Sequence, residues 1–268
     1  MSKNYAQIIG ISNTEIDSLK RKIEKTCSLY LDKAEFDWKE SDADQLLALD
    51  ESKAIALEHF KIADNSSLIP GHEKVNAFSP KVDEFIAIVC DIRDSTKRLS
   101  TIDHSIKIKG IQRIFYETSA LLPSIEITIN HFGGKVTEYL GDGVLGFIQY
   151  KDTEQIYKAH KVAKSCLSLT LDIVNQQLKQ RYNLPPLQIG IGMALSKAMI
   201  RVVTADHVKA FGECVWKASK LSSGRNKACM DDNLKAKWPK TVGGRLVFKR
   251  EILKSSDINA YRVFPLLD

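Results

Sequence analysis

Acidic and basic residues gather where an apolar run ends, in the segment FIAIVCDIRDST at Phe85–Thr96. The run itself, Phe85–Val89, is unbroken, which is typical of a short strand buried on both faces. Asp91, Arg93 and Asp94 follow it within a few positions. A carboxylate at the end of a core strand is suited to hold a cation, so Asp91 is the first candidate for chemistry.

A second candidate carboxylate is Asp142, in the segment GGKVTEYLGDGVLGFIQY. Apolar residues alternate on both sides of its Gly-Asp-Gly, a pattern that predicts a tight hairpin. Because a crossover helix returns the chain beside the first strand, we expect Asp142 to lie close to Asp91. Two such carboxylates repel unless cations lie between them, and Mg²⁺ or Mn²⁺ binds carboxylates while leaving positions for phosphates. The sequence therefore predicts a site for two divalent cations, Mg²⁺ or Mn²⁺.

Each motif also has a simpler interpretation. A Gly-Asp-Gly alone is usually only a turn. Asp94 or Ser95 could serve as the cap of the helix that follows the strand. The metal site is favoured by the two motifs occurring together in one chain.

The order of the elements predicts the fold. Strands are predicted at Phe85–Val89, on both sides of the hairpin, and in LQIGIGMAL, AMIRVV, RLVFK and INAYRVF; helices are predicted at Asn13–Leu31, Asp42–Phe60, Ile102–His131 and Asp152–Tyr182, and in FGECVWKASKLSS. This order is that of a ferredoxin-like βαββαβ core with extra C-terminal strands. The predicted class is an α/β sandwich of one antiparallel sheet with helices on one face.

Composition divides the chain into three regions. We predict an N-terminal helical extension at residues 1–62, a linker rich in Asn, Ser, Pro and Gly at 63–80, and the main domain at 81–268. The extension could pack on the main domain, or it could serve dimerisation or regulation.

Charge and cysteine content narrow the protein class. The net charge is +6, but the lysines are scattered through amphipathic segments without alternating aromatic residues, so no nucleic-acid partner is predicted. The sequence has neither a leader pattern nor a membrane-spanning run, which predicts a soluble, cytoplasmic protein. No C-x-x-C pair occurs among the five widely spaced cysteines, which predicts neither disulfides nor a zinc site: Cys27, Cys90, Cys166, Cys214 and Cys229.

Four motifs in order resemble the catalytic domain of class III nucleotidyl cyclases: D-I-R-x-S-T, Y-L-G-D-G-x-L-G-F, I-G-I-G and G-x-x-V-x-x-A-S-K-L. The resemblance spans Phe85–Leu221. It implies that Asp91, Asp142 and the main-chain carbonyl of Ile92 hold two metal ions, one activating the ribose 3′-hydroxyl and the other binding the triphosphate. It also implies a head-to-tail homodimer with two equivalent composite sites. We count Arg93, in the first motif, as a catalytic candidate.

Four positions either differ from the family's usual residue or distinguish one type of cyclase from another. The base-reading positions fall on Glu138 and near Lys209, where adenylyl cyclases have Lys and Asp. The ribose-orienting Asn aligns with Trp216, and the transition-state Arg aligns with Lys220. Lysine can neutralise a phosphate but lacks the bidentate fork of arginine. Trp216 could line the pocket or belong to the core.

A Glu facing a Lys suits a base that has an N–H donor beside a carbonyl, as in uracil or guanine; the amino group of cytosine would also satisfy Glu138. Trp216 or Tyr139 lining the pocket would favour a one-ring base. The chain is also similar to the bacterial pyrimidine cyclases of Pycsar anti-phage systems. This implies conversion of UTP or CTP to cUMP or cCMP, read by a separate effector protein that is not stably bound. The alternatives are an adenylate or guanylate cyclase and a catalytically degenerate nucleotide-binding module.

Overall fold

The computed structural model of the chain describes residues 3–40, 65–76, 78–100, 106, 108, 110–204, 207–240, 246–253 and 258–265. The helix predicted at Asp42–Phe60 lies outside the described residues.

Eight helices and ten strands are described. The helices are α1 (Tyr5–Ile9), α2 (Asn13–Glu40), α3 (Ser95–Ser100), α4 (Gly110–His131), α5 (Thr153–Ser165), α6 (Leu171–Tyr182), α7 (Glu213–Leu221) and α8 (Asp232–Ala236). The strands are β1 (Asn65–Ser66), β2 (Lys74–Val75), β3 (Lys81–Ile92), β4 (Lys135–Tyr139), β5 (Gly143–Gln149), β6 (Ile189–Thr204), β7 (His207–Gly212), β8 (Lys227–Met230), β9 (Leu246–Glu251) and β10 (Ala260–Pro265).

The main sheet has the order β4-β5-β3-β6-β8-β10-β9, with β7 paired to β6. The predicted neighbourhood of the first strand and the hairpin is confirmed, because β3 pairs antiparallel with β5 and places Asp91 opposite Gly143. The prediction of a purely antiparallel sheet is wrong, because β8 runs parallel to β6. A parallel pair requires a crossover, and β7 and α7 supply it.

Both faces of the sheet are covered. Alternate residues of β3 belong to two separate apolar clusters: Ile86 and Ile88 pack with α4, α5 and α6, whereas Phe85 and Ala87 pack with α7. This agrees with a strand buried on both faces. The prediction that helices cover only one face is wrong, since α7 lies on the other.

Helix α7 sits directly on two glycines of β6. A Cβ atom at Gly190 would lie 1.8 Å from the carbonyl oxygen of Ser222, and one at Gly192 would lie 1.9 Å from that of Ala218. No side chain fits at either position while the helix keeps its place. The two glycines of the I-G-I-G motif therefore form the surface of β6 on which α7 packs.

Three predicted elements differ in their bounds. LQIGIGMAL and AMIRVV were predicted as two strands but lie in one, β6, which begins at Ile189; only Ser196 and Lys197 separate them, without the Gly, Pro, Asn or Asp that would favour a turn. The helix predicted from Asp152 has a π-helical turn, Cys166–Thr170, between α5 and α6. The helix predicted from Ile102 is described from Gly110 onward.

The N-terminal helix α2 packs against α4 and α6. Its inward side chains Leu19, Ile23, Cys27 and Leu31 are fully buried, and Arg181 of α6 donates a 2.6 Å hydrogen bond to Asp32. Helix α2 therefore shares the core of the main domain. The five cysteines are free and buried. Within the described part of the chain, none of the helices has the length and apolar character to cross a membrane.

Candidate active site

The two predicted metal carboxylates meet at one end of β3. Asp142 lies in the turn between β4 and β5, and its carbonyl oxygen accepts a 3.2 Å hydrogen bond from the N–H of Ile92. Gly143 makes the close approach possible, because a Cβ atom there would lie 2.8 Å from the Cys90 carbonyl oxygen and 3.0 Å from Asp91 Oδ1. The Gly-Asp-Gly turn thus brings its aspartate against the strand end.

The carboxylate of Asp91 is electrostatically disfavoured. Burial, then the negative charge of Asp142 and a side-chain hydrogen bond with it, raise the pKa of Asp91 to about 6, while the charge of Arg93 opposes the rise. A bound cation would reverse this balance, since an opposite charge favours the ionised form.

Arg93 is the nearest cation to this pair. Its Nη2 donates to Asp91 Oδ2, and its main-chain N–H donates a 2.8 Å bond to the Gln188 carbonyl oxygen. Its Nε is buried without a hydrogen-bond partner among the described residues. The guanidinium therefore retains donor capacity beside the carboxylates.

The residues fit a pair of hard divalent cations. Two carboxylates and a main-chain carbonyl are oxygen donors of the kind that Mg²⁺ and Mn²⁺ prefer, and substrate phosphates normally complete their coordination. The described residues contain no group of three or more His, Cys, Asp or Glu arranged around a metal. The donor set matches cations that share their coordination with a substrate, but not a closed structural site.

The predicted base-reading residues are in contact. Lys209 Nζ of β7 donates a 2.9 Å hydrogen bond to Glu138 Oε2 of β4. The register of β4 against β5 shifts between Val136 and Glu138, so that Glu138 pairs with Leu145. Such a bulge re-aims the side chains that follow it. The pair is partly buried, with side-chain exposures of 19% for Glu138 and 37% for Lys209.

Tyr139 is not brought to the Glu138–Lys209 pair. Its hydroxyl donates to Glu126 of α4, and burial together with this carboxylate raises the pKa of Tyr139 well above its usual range. The expectation that Tyr139 lines the same pocket is therefore corrected: Glu138 and Tyr139 are consecutive residues in regular register, paired with Leu145 and Val144, so their side chains point to opposite faces of the strand. No sequence motif contains Glu126, so its contact with Tyr139 could not be predicted.

Trp216 and Lys220 lie on the exposed side of α7. Trp216 is 58% exposed, so of the two alternatives, pocket or core, the core is excluded. The buried side of this helix is formed by Cys214, Ala218 and Leu221. Lys220 follows Trp216 by one helical turn and shares its face.

Two ion-pair groups near the carboxylates were not predicted. Arg225, after α7, binds both oxygens of Asp94, one at 2.6 Å, and Asp94 has a positive φ of 61°. Glu117 is fully buried and accepts from Arg98 at 2.6 Å and from Arg113 at 2.9 Å. Arg113 and Glu117 are four residues apart on α4, whereas the bonds of Arg98 to Glu117 and of Arg225 to Asp94 join different segments, which no local pattern reveals.

Known structures share this fold. The guanylyl cyclase Cya2 aligns with a TM-score of 0.53 and 17% identity over 68% of this chain and 92% of that one. The adenylyl cyclase CyaB from P. aeruginosa aligns with a TM-score of 0.56 and 14% identity over 69% and 96%. A dimeric guanylyl cyclase domain of the RhoGC fusion protein from the aquatic fungus Blastocladiella emersonii aligns with a TM-score of 0.50 and 14% identity over 70% and 97%. The sequence matches no protein-family model and no curated protein. The chain thus has the α/β fold of adenylyl and guanylyl cyclase catalytic domains.

Proposed function

We propose that this protein is a metal-dependent nucleotidyl cyclase that converts a pyrimidine nucleoside triphosphate, UTP or CTP, to the 3′,5′-cyclic monophosphate and pyrophosphate. The meeting of Asp91 with Asp142 in a cyclase fold carries the proposal. The ribose 3′-oxygen forms a bond to the α-phosphorus, the bond from this phosphorus to pyrophosphate breaks, and the hydroxyl proton passes to water. Positioning and charge neutralisation supply most of the catalysis in such a transfer.

Asp91, Asp142 and the Ile92 carbonyl would hold two Mg²⁺ or Mn²⁺ ions, which lower the pKa of the 3′-hydroxyl and neutralise the triphosphate. Arg93 favours the ionised, metal-binding form of Asp91 through its charge. Lys220 offers a point charge to a phosphate.

The Glu138–Lys209 pair supports the choice of base. Uracil can donate its N3–H to Glu138 and accept a hydrogen bond from Lys209 at a neighbouring carbonyl. The hydrogen bond between Lys209 and Glu138 is then replaced by one bond from each residue to the base. Adenine presents an N–H donor beside a ring-nitrogen acceptor but no carbonyl, so it matches the pair less well than uracil does. Guanine satisfies both residues, and guanylyl cyclase activity is therefore the second candidate. Exclusion of guanine by size rests on Trp216.

The test is incubation of the purified protein with UTP, CTP, GTP and ATP in parallel with Mn²⁺, followed by mass identification of the cyclic product. We expect cUMP or cCMP to form fastest. A faster reaction with GTP or ATP would replace the pyrimidine proposal with a purine cyclase. Binding of nucleotide without any cyclic product would indicate a regulatory module.

A homodimer would complete the site. Apolar side chains are exposed on the single chain at Tyr139, Leu140, Phe211 and Trp216, with exposed fractions between 44% and 58%. We propose that each site combines Asp91 and Asp142 of one chain with Lys220 of the other. Mixing the inactive variants Asp91→Ala and Lys220→Ala should then restore part of the activity. A fully active monomer in sedimentation would refute the composite site.

The product would act as a messenger in anti-phage defence, read by a separate effector protein. Cells carrying the wild-type gene, but not Asp91→Ala, should accumulate the cyclic nucleotide after phage challenge. Equal nucleotide levels with and without phage would exclude this role.

A further inference from the structure

An aromatic cavity lies at the edge of the sheet that β9 and β10 form. Its volume is about 670 Å³, and its lining comes from α5, from α8 with the segment after it, and from these two strands. Four aromatic side chains and two lysines give it its character: Tyr157, Trp238, Phe248, Tyr261, Lys235 and Lys240. A cavity of this size and lining is typical of sites for small organic molecules.

The strand register places the aromatic lining on one face of the sheet. Phe248 pairs with Val263, which lies two positions from Tyr261, so these three side chains share a face. All three pack against the apolar cluster that α5 covers, and Trp238 belongs to that cluster. The Trp238 ring centroid lies 5.2 Å from that of Phe248 and 5.8 Å from that of Tyr157 on α5. The aromatic lining thus converges from the sheet, from α5 and from the segment after α8.

The cavity is separate from the proposed active site. Phe85, Ala87 and Val89 of β3 lie in the cluster on the α7 side of the sheet, so Asp91, two positions after Val89, points to that side as well. The cavity lies on the other face, and β10 is three strands from β3 in the sheet order, or roughly 14 Å. A ligand in this cavity would not touch the carboxylate pair.

Trp238 has an unsatisfied donor. The residue is 7% exposed, and its indole N–H forms no hydrogen bond with the described residues. A buried indole N–H usually has a partner. Because Trp238 lines the cavity, an acceptor oxygen of a bound molecule is a partner available to it.

The charge of the lining favours an anion. The Lys235 ammonium lies 3.8 Å from the centroid of the Tyr261 ring. Neither Lys235 nor Lys240 forms a salt bridge within the described part of the chain. Asp232 is the one acid among the described lining residues, and it accepts a 3.3 Å hydrogen bond from Asn259. Two cations therefore border the rings against one carboxylate.

We propose that this cavity binds a nucleoside monophosphate. Aromatic side chains stack with any nucleobase, because every base has a π-face, and a lysine ammonium binds a phosphate as a point charge. The volume admits a base, a sugar and one phosphate. A triphosphate carries more charge than two lysines opposed by Asp232 neutralise, and a nucleoside would leave both lysines without an anion.

Two kinds of molecule share this chemistry. One is the cyclic monophosphate of the proposed reaction, which would make the cavity a site for the enzyme's own product and rests on the proposed function. The other is an ordinary 5′-monophosphate, which does not. Their relative affinities distinguish them.

The probes are cUMP, cAMP, UMP and AMP, added separately in EDTA to protein labelled with 5-fluorotryptophan. The chain has three tryptophans, Trp38, Trp216 and Trp238, and the ¹⁹F resonance of Trp238 is the one that Trp238→Phe removes. We expect at least one monophosphate to move this resonance until it saturates, and the matching nucleoside to bind at least about tenfold more weakly because it lacks the phosphate. Tighter binding of the cyclic form would identify the proposed product as the ligand, and the reverse order would identify the 5′-monophosphate.

Three results would overturn the proposal. They are a Trp238 resonance that none of the four probes moves to saturation, a shift of the Trp216 resonance alone, and equal affinity for nucleoside and nucleotide. The second of these would place the nucleotide at the proposed active site instead.

Variants at the end of α8 test the charge. Lys235→Gln should weaken monophosphate binding at least about fivefold, because it removes one of the two lysines that border the rings. Lys237→Gln is the matched control, since the Lys237 ammonium lies 5.9 Å from the centroid of the Tyr150 ring, outside the described lining. Unchanged affinity in Lys235→Gln, or equal loss in both variants, would refute the site. Because turnover is not measured, failure of the proposed function would leave this result standing.

Discussion

Gly192→Ala is expected to disable the proposed reaction by displacing α7. A methyl group at this position would lie 1.9 Å from the Ala218 carbonyl oxygen, whereas ordinary contacts begin at 3.4 Å. The obstacle is helix backbone, which cannot rotate away as a flexible side chain can, so α7 has to move by about 1.5 Å. Lys220 and Trp216 move with it. Since a misplacement of about 1 Å reduces turnover by ~100-fold, we expect at least that loss.

The assay combines the rate of cyclic product formation with thermal unfolding. Crowding of the core should lower the free energy of unfolding by ~1–3 kcal/mol, which lowers Tm by roughly 2–4 °C per kcal/mol. Ala194→Gly is the control, because it changes one methyl group on the same face of β6. It should lower stability by about 1 kcal/mol while turnover stays near wild type. Wild-type turnover in Gly192→Ala would refute the reasoning.

Three further predictions concern charge. Asp91→Ala or Asp142→Ala should abolish turnover with little change in Tm, because loss of transition-state charge stabilisation costs several kcal/mol; near-normal product formation by mass spectrometry would contradict the mechanism. Glu117→Ala leaves the buried Arg113 without its carboxylate and removes one partner of the partly buried Arg98, so it should lower the free energy of unfolding by ~3–5 kcal/mol, measured by urea titration; an unchanged urea midpoint would contradict this role of Glu117. Burial raises the pKa of Asp231 from 3.8 to about 6, so the folded state binds more protons than the unfolded state between these values, and the contribution of this group to stability is lost as the pH rises from 3.8 to 6. In Asp231→Asn, the Tm measured by thermal melts should depend less on pH across this range than in the wild type. A variant whose Tm has the wild-type pH dependence would contradict the raised pKa of Asp231.

Local patterns predicted the centre of the fold. The unbroken apolar run Phe85–Val89 and the alternation around Gly-Asp-Gly depend on neighbouring residues only, and both elements are present. The face occupied by α7 could not be predicted from its own residues, since its apolar side chains would fit either side of a sheet. The sequence did contain one indication of the face that α7 covers. Gly190 and Gly192 are two positions apart and hence lie on one face of the strand, where the absence of side chains lets another backbone approach.

The site was predicted less completely. The contact of Glu138 with Lys209 was expected from the family resemblance, whereas their sequence separation alone gave no reason to pair them. The expectation for Tyr139 was wrong because consecutive residues of a strand point to opposite faces, so Tyr139 does not share a face with Glu138. No residue type in KVTEY marks the bulge between Val136 and Glu138. Long-range ion pairs such as Arg225 with Asp94 depend on the folded path of the chain.

The five buried cysteines can serve as native probes of partial opening of the fold. Cys90 and Cys166 belong to the apolar cluster on the α4, α5 and α6 side of the sheet, together with Cys27 on the inward face of α2. Cys214 and Cys229 belong to the cluster between the sheet and α7. Each thiol is at most 1% exposed, and burial raises the pKa of all five. An alkylating reagent can react only when the layer above a thiol separates. Labelling rates mapped by mass spectrometry would therefore rank how readily each layer opens, without any engineered probe.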